Sequence, residues 1–361
     1  MTIDTLLKIA VEKNASDLHL VADQPPILRV DGELQEIPES QPLSPETLKE
    51  IVYEMLDERQ KEHFEKDREL DLSHEITGLS RFRVNLHWEK DRVSLAARVI
   101  SSTTPSLEQL QIPPVVYELL RLKQGLILVT GPTGCGKSTT LAAMIDLINT
   151  ERRANIITLE DPIEFIYESK RSIVRQRQLG SDTLSFPEAL KRIVRQDPNV
   201  ILVGEMRDLD TIATTITLAE TGHLVLATLH TYNAAQTVDR IIDVFPSNQQ
   251  SQVRLQLSLF LKGIISQQLL PRIRTKKGTI DSPSAEPLTY GRVSAREVLI
   301  NTPAISNLIR ENKIAQIRSV IQTSAEMGMY TMDQNIRKLY KGGFVTRETA
   351  MNYMTEPETL E

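Results

Sequence analysis

One eight-residue stretch narrows the folds open to this chain more than anything else in its 361 residues. Gly131-Pro132-Thr133-Gly134-Cys135-Gly136-Lys137-Ser138 sets glycines at the first and sixth positions, then a lysine, then a hydroxyl. It follows the apolar run Leu126–Val129 and opens the apolar stretch Thr139–Asn149. A strand, a glycine-rich turn and a helix in that order are the context in which GxxxxGK[ST] cradles phosphate. The glycines let the backbone wrap an anion, and the N–H groups and helix N-terminus supply positive potential. Lys137 is expected to reach the β- and γ-phosphates of ATP and Ser138 to ligate Mg²⁺. Gly131 through Thr139 are therefore the candidate nucleotide-binding residues. Cys135 reads as an inert small residue, since no activator of its thiol is evident.

The runs Ile156–Leu159, Val200–Val203 and Leu224–Ala227 repeat the apolar pattern of Leu126–Val129, with helical stretches such as Phe186–Arg195 between them. Short buried strands alternating with helices argue a parallel α/β sheet covered on both faces. The first third reads differently. Residues 1–113 carry 13 basic against 22 acidic side chains, and the remainder 29 against 26. A helix is expected over Asp4–Asn14, a strand over Ser16–Val21, a hairpin turning at Asp31-Gly32, a helix capped by Ser44 with Pro45, and strands at Arg81–Leu86 and Val93–Ile100. These make a small α+β domain with a mostly antiparallel sheet over 1–100. A proline- and serine-marked stretch, 101–114, reads as the linker, and 115–361 as the second domain.

Composition excludes several classes. A single cysteine rules out a disulfide framework and a CxxC zinc site. No apolar run reaches the ~18 residues of a membrane span. The charges Asp4, Lys8 and Glu12 are unlike a secretory signal, so a cytoplasmic location is expected. A net charge of −6 and 4% aromatic residues argue against a nucleic-acid partner.

Hydrolysis needs more than a phosphate loop: a metal-holding carboxylate and a group that orients water. Glu205 ends the apolar strand Val200–Val203, and ligands of α/β sheets bind at the carboxyl ends of strands. Glu160, Asp161 and Glu164 crowd three carboxylates after Ile156–Leu159, which is costly unless a cation or solvent receives them. His223 and His230 flank Leu224–Leu229; seven extended residues span ~23 Å, so the two do not share one metal.

These residues resemble the secretion ATPase superfamily of type II secretion and type IV pili. The loop resembles its Walker A sequence, with Cys135 where serine is usual. Ile157–Glu164 resembles its Asp box, Gly204–Asp208 its Walker B, and Thr221–Thr231 its His box. Ala15–Leu20 and Arg81–Asn85 resemble its N-terminal domain. One cysteine argues against the tetracysteine insert of the assembly members, and Thr302–Glu311 is similar to a box of the pilus retraction branch, with Ser306 where that branch has arginine. The resemblance implies a RecA-like P-loop ATPase domain preceded by a PAS-like α+β domain. It implies a cytoplasmic homohexamer, peripheral to the inner-membrane pilus machine, that uses ATP and Mg²⁺ against a platform protein, alone or with a paralogous retraction motor. It further implies that Glu205 holds Mg²⁺ with Ser138, that Glu164 (or Glu160) is the general base, and that His230 senses the γ-phosphate. One of Arg81, Arg83 and Arg98 would act in trans.

Other P-loop classes make different demands. A kinase needs an acceptor pocket and an arginine-rich lid, for which Arg171, Arg175 and Arg177 are the candidates. A nucleic-acid motor needs a basic groove. A nucleotide-dependent scaffold would bind ATP without turnover.

Overall fold

The computed structural model describes residues 2–30, 33–100, 104–273 and 291–360. The Asp31-Gly32 turn, the first three linker residues and the polar stretch 274–290 lie outside the described residues. The chain divides into two compact units: Met1–Thr103 with Glu164–Ile166, and Thr104–Ile163 with Tyr167–Glu361.

The first unit runs α1 (Ile3–Glu12), β1 (Asp17–Leu20), β2 (Ile27–Val30), β3 (Glu33–Glu36), α2 (Pro45–Glu54), α3 (Glu58–Asp67), β4 (Glu69–Ile76), β5 (Ser80–Glu89) and β6 (Arg92–Ile100). Among the described residues its strands form one antiparallel sheet in the order β3-β2-β1-β6-β5-β4. Strand alternation does the sorting. Leu18, Leu20, Phe82, Val84, Leu86, Leu95 and Ala97 are buried with Leu6, Leu7, Leu48, Val52 and Phe64 of the helices. The opposite face carries a polar row across five strands: Ser73, Arg83, Arg98, Asp17 and Arg29 stand side by side in register. One helix carries no apolar signal in the sequence. Helix α3 buries only Phe64, so it shows no apolar stripe, and it is started instead by a capping box between Asp57 and Gln60.

The second unit runs α4 (Pro114–Leu120), β7 (Gly125–Thr130), α5 (Lys137–Glu151), β8 (Asn155–Glu160), β9 (Ile173–Gln178), α6 (Phe186–Ile193), β10 (Val200–Val203), α7 (Leu209–Glu220), β11 (Leu224–Leu229), α8 (Ala234–Asp243), α9 (Ser247–Phe260), β12 (Leu261–Pro271), β13 (Arg292–Ile300), α10 (Pro303–Arg310), α11 (Ile317–Thr323), α12 (Met332–Lys341) and α13 (Arg347–Tyr353). Its strands form a sheet in the order β13-β12-β7-β11-β10-β8-β9, parallel except for β13. Every residue of β7, β10 and β11 is buried, because helices cover both faces. Leu126 and Leu128 join the core on one side with α6 to α9, while Ile127 and Val129 join the other with α4 and α5.

Two expectations change here. The arginines 171, 175 and 177 do not form a lid: Arg175 and Arg177 lie in β9, paired with Ile157 and Leu159 of β8. And the linker composition is misleading beyond residue 103. Leu107 and Ile112 are buried in the core of the second unit, and Ile112 N–H donates to the Leu107 carbonyl at 2.9 Å.

A buried carboxylate joins two helices to the sheet. Glu297 of β13 accepts from the first-turn amides of α8 (Ala234, 2.8 Å) and α12 (Met332, 3.4 Å). Burial, the largest influence, pushes the Glu297 pKa above its ordinary range, and the two amides, each at a helix N-terminus of positive potential, oppose that rise. Glu297→Ala leaves buried donors unpaired and should lower the unfolding free energy by about 2 kcal/mol in urea titration; a loss below about 0.5 kcal/mol would show that water replaces the carboxylate.

Candidate nucleotide site

Strand order alone brings the candidate residues together. At the carboxyl edge of the second sheet, β7, β11, β10 and β8 are successive neighbours. The turn 131–136 follows β7, His230 follows β11, Glu205 lies two positions past the end of β10, and Glu160 ends β8. Adjacent strands lie ~4.8 Å apart, so residues separated by up to 93 positions in sequence meet along one edge.

The loop is built for an anion. Gly136 takes φ +86° as the N-cap of α5 and makes no side-chain cap hydrogen bond. A helix begun by serine or aspartate has one of its first amides occupied by the cap side chain; glycine has no side chain to do this. Gly131, at φ +143°, has no room for a side chain, since a Cβ there would lie 2.2 Å from the Gln267 carbonyl. Thr133 and Gly134 form the exposed crest, Pro132, Ser138 and Thr139 are half-buried, and Cys135 is buried. Burial is the main influence that pushes the Cys135 thiol up from its ordinary range, as expected of an inert residue.

Lys137 is buried at the start of α5. Its ammonium donates to the carbonyls of Gly131 (2.8 Å) and Pro132 (3.1 Å) and lies 3.5 Å from His230 Nδ1. On its other side His230 Nε2 is 3.1 Å from Glu205 Oε2, and Glu205 also pairs with Arg207. Lysine can only donate, so Nδ1 is the acceptor, Nε2 carries the proton, and the imidazole is neutral. The surroundings favour that form: desolvation, then the positive charges of Lys137 and Arg207, hold the His230 pKa below its ordinary 6.5. His223 has a different fate, its Nδ1 lying 2.9 Å from the Leu218 carbonyl at the far end of β11.

Glu160 is buried and accepts from Thr158 Oγ1 (2.6 Å) and Gln176 Nε2 (3.3 Å). Glu164 is exposed and is grouped with the first unit. Arg81, Arg83 and Arg98 also belong to that unit. Arg81 donates to Ser73 (2.8 Å), Arg98 pairs with Asp17 (2.8 Å), and Arg83 stands opposite Arg98. Beside Glu205 a cleft of about 280 Å³ is lined by Asp161, Phe186, Arg207 and Asp208 among others. Sequence reasoning missed Thr140, Arg207 and Gln267. Gln267 sits in β12 with no motif around it; only its polarity in an otherwise apolar run, Leu261–Leu270, distinguishes it.

The chain belongs to the Type II/IV secretion system protein family, whose family model matches residues 1–352. It is 44% identical over 360 residues to the type IV pilus retraction ATPase PilT of Pseudomonas aeruginosa, with 100% of both chains covered. It is 40% identical over 360 residues to the type IV pilus ATPase PilU of the same organism, covering 100% of this chain and 90% of that one. The crystal structure of the pilus retraction motor PilT with bound ADP superposes with a TM-score of 0.89 at 44% identity, covering 99% of this chain and 98% of that one.

The electrostatics of the strand-tip row can be checked directly. In a proton NMR titration the His230 resonance, assigned through His230→Asn, should have its midpoint below 6.5. Lys137→Ala removes one of the charges that oppose protonation and should raise that midpoint. A midpoint at or above 6.5 in the wild type, or no rise in the variant, would contradict the arrangement.

Proposed function

We propose that this chain is the ATPase motor that retracts type IV pili, the reading carried by the strand-tip row Lys137–His230–Glu205 beside an uncapped phosphate loop. The chain is an ATPase. It works as a cytoplasmic homohexamer, peripheral to the inner membrane, whose RecA-like unit splits ATP and whose PAS-like unit moves with it. The motion passes to the platform protein of the pilus machine and drives pilin disassembly and twitching motility.

The residues derive their roles from what they can donate and accept. The loop amides and Lys137 bind the β- and γ-phosphates, and Lys137 exchanges two loop carbonyls for phosphate oxygens. Ser138 and Glu205 offer hard oxygen donors, the chemistry Mg²⁺ selects; Mg²⁺ there would neutralise charge on the phosphates. His230, neutral and hydrogen-bonded on both sides, registers whether Lys137 and Glu205 are engaged by nucleotide. Glu164 is the general base: it is exposed, whereas Glu160 already holds Thr158 and Gln176. One of Arg81, Arg83 and Arg98 completes the site of an adjoining subunit, which makes turnover depend on ring assembly.

A second reading, an accessory retraction motor like PilU working beside a paralogue, is favoured by Ser306. Where the retraction branch has arginine, the Ser306 hydroxyl donates to the Ser258 carbonyl at 2.7 Å and lies 3.1 Å from Asn301 Oδ1, tying α10 to the end of α9.

Two measurements test this. Glu164→Gln should leave ATP binding intact and cut phosphate release by at least ~10²-fold; if Glu160→Gln does so and Glu164→Gln does not, the base is Glu160. Deleting the gene should give excess pili that do not retract. Bald cells would mark an assembly motor, and normal retraction that fails only under load, or only without the paralogue, an accessory one.

A further inference from the structure

A phosphate-binding loop must aim its N–H groups at one point, so its carbonyls point away and need partners of their own. Lys137 supplies them for Gly131 and Pro132, but it is also the group that leaves to meet phosphate. The Cys135 carbonyl has a different partner. Gln267 of β12 donates Nε2–H to it at 2.8 Å. The other end of that carboxamide is held as well, for Thr140 Oγ1 donates to Gln267 Oε1 at 2.9 Å. Gln267 and Thr140 are 1% and 2% exposed, so water does not reach either bond.

β12 is close enough to act as a template for the loop. Its Ser266 pairs with Thr130, the last residue of β7, and their hydroxyls are 2.8 Å apart. The next residue, Gln267, presses its own carbonyl so near Gly131 that a Cβ there would lie at 2.2 Å. Its side chain then reaches to the far end of the loop.

We propose that Gln267, locked by Thr140, is a positioning residue for the phosphate loop: it fixes the peptide unit between Cys135 and Gly136 so that the Gly136 N–H faces the nucleotide. The peptide unit is planar and trans. Holding its carbonyl outward therefore holds its N–H inward. Gly136, at φ +86°, belongs to a residue type that visits either sign of φ freely, so the local backbone does not prevent this peptide from flipping. A flip would turn a carbonyl dipole toward the phosphates and remove one donor. Thr140 sets which end of the carboxamide is which, because its hydroxyl donates to the oxygen and leaves the amide for Cys135. Thr140, the second residue after the Lys137-Ser138 pair, thus spends its hydroxyl on Gln267 and serves the loop from behind.

The inference rests on the nucleotide site described above, and the two can fail separately. Steady-state kinetics and ATP binding are measured on the full chain for wild type, Gln267→Leu, Thr140→Val, Thr140→Ser and the double variant Gln267→Leu/Thr140→Val. Loss of one buried hydrogen bond corresponds to about tenfold, so Gln267→Leu should raise KM and the ATP dissociation constant about tenfold while kcat at saturation stays within about threefold. Thr140→Val should raise both in the same direction, Thr140→Ser should restore them, and the double variant should be no worse than Gln267→Leu alone. Should Gln267→Leu fail to fold, the Thr140→Val and Thr140→Ser pair still decides. Unchanged KM in both valine and leucine variants, a fall in kcat and melting temperature with KM unaltered, or additive losses in the double variant would overturn the proposal. A wild-type protein that does not bind ATP would instead overturn the site itself.

Discussion

The start of α5 must present its backbone without a capping side chain in the way, and this governs how the second unit is built. Several other helix starts in the chain are closed by serine, threonine, aspartate or asparagine, as at Ser185, Asp208 and Asn233. At α5 it uses Gly136, which closes nothing. Glycine in place of a capping side chain costs the helix about 0.3 kcal/mol, and the surrounding structure offsets this by packing α5 deeply: Leu141, Met144, Ile145 and Ile148 are all buried. The turn that precedes it is shaped by strand β12 on one side and by Lys137 reaching back to the carbonyls of its own loop on the other.

Parallel strand order supplies the rest. A βαβ arrangement points every carboxyl end the same way, so polar residues that follow buried strands collect on one edge. The row formed there alternates in character: cationic Lys137, neutral His230, anionic Glu205, cationic Arg207. A charged imidazole would repel Lys137, and an imidazole of the other tautomer would face it with a proton. The neutral form with Nε2 protonated satisfies both neighbours. Arrival of a polyanion draws on the same lysine and the same carboxylate, and this is the physical basis for treating His230 as a reporter of occupancy.

Much of this was legible in the sequence because the signals are local. The phosphate loop, the apolar runs of β7, β8, β10 and β11, and the polar residues at their tips are each contained in ten residues or fewer. What was hidden depends on neighbours distant in the chain. Helix α3 has one buried residue and no stripe to read. β9 looks like a basic loop because its edge position leaves alternate side chains in solvent, and so Arg175 and Arg177 suggested a lid. The proline-rich 104–113 looks like a linker, yet Leu107 and Ile112 find a core. Gln267 gave no motif at all: its partners Cys135 and Thr140 lie 132 and 127 positions away, and only the pairing of β12 with β7 brings them together.

The most direct measurement is amide hydrogen exchange on the full chain with and without ADP and magnesium, with adenosine as the control. ADP should slow exchange across 131–138, most strongly at Gly136 and Lys137, and adenosine should not. Protection confined to other segments, with the turn between β7 and α5 exchanging as fast as in the free protein, would contradict a phosphate seated on those amides.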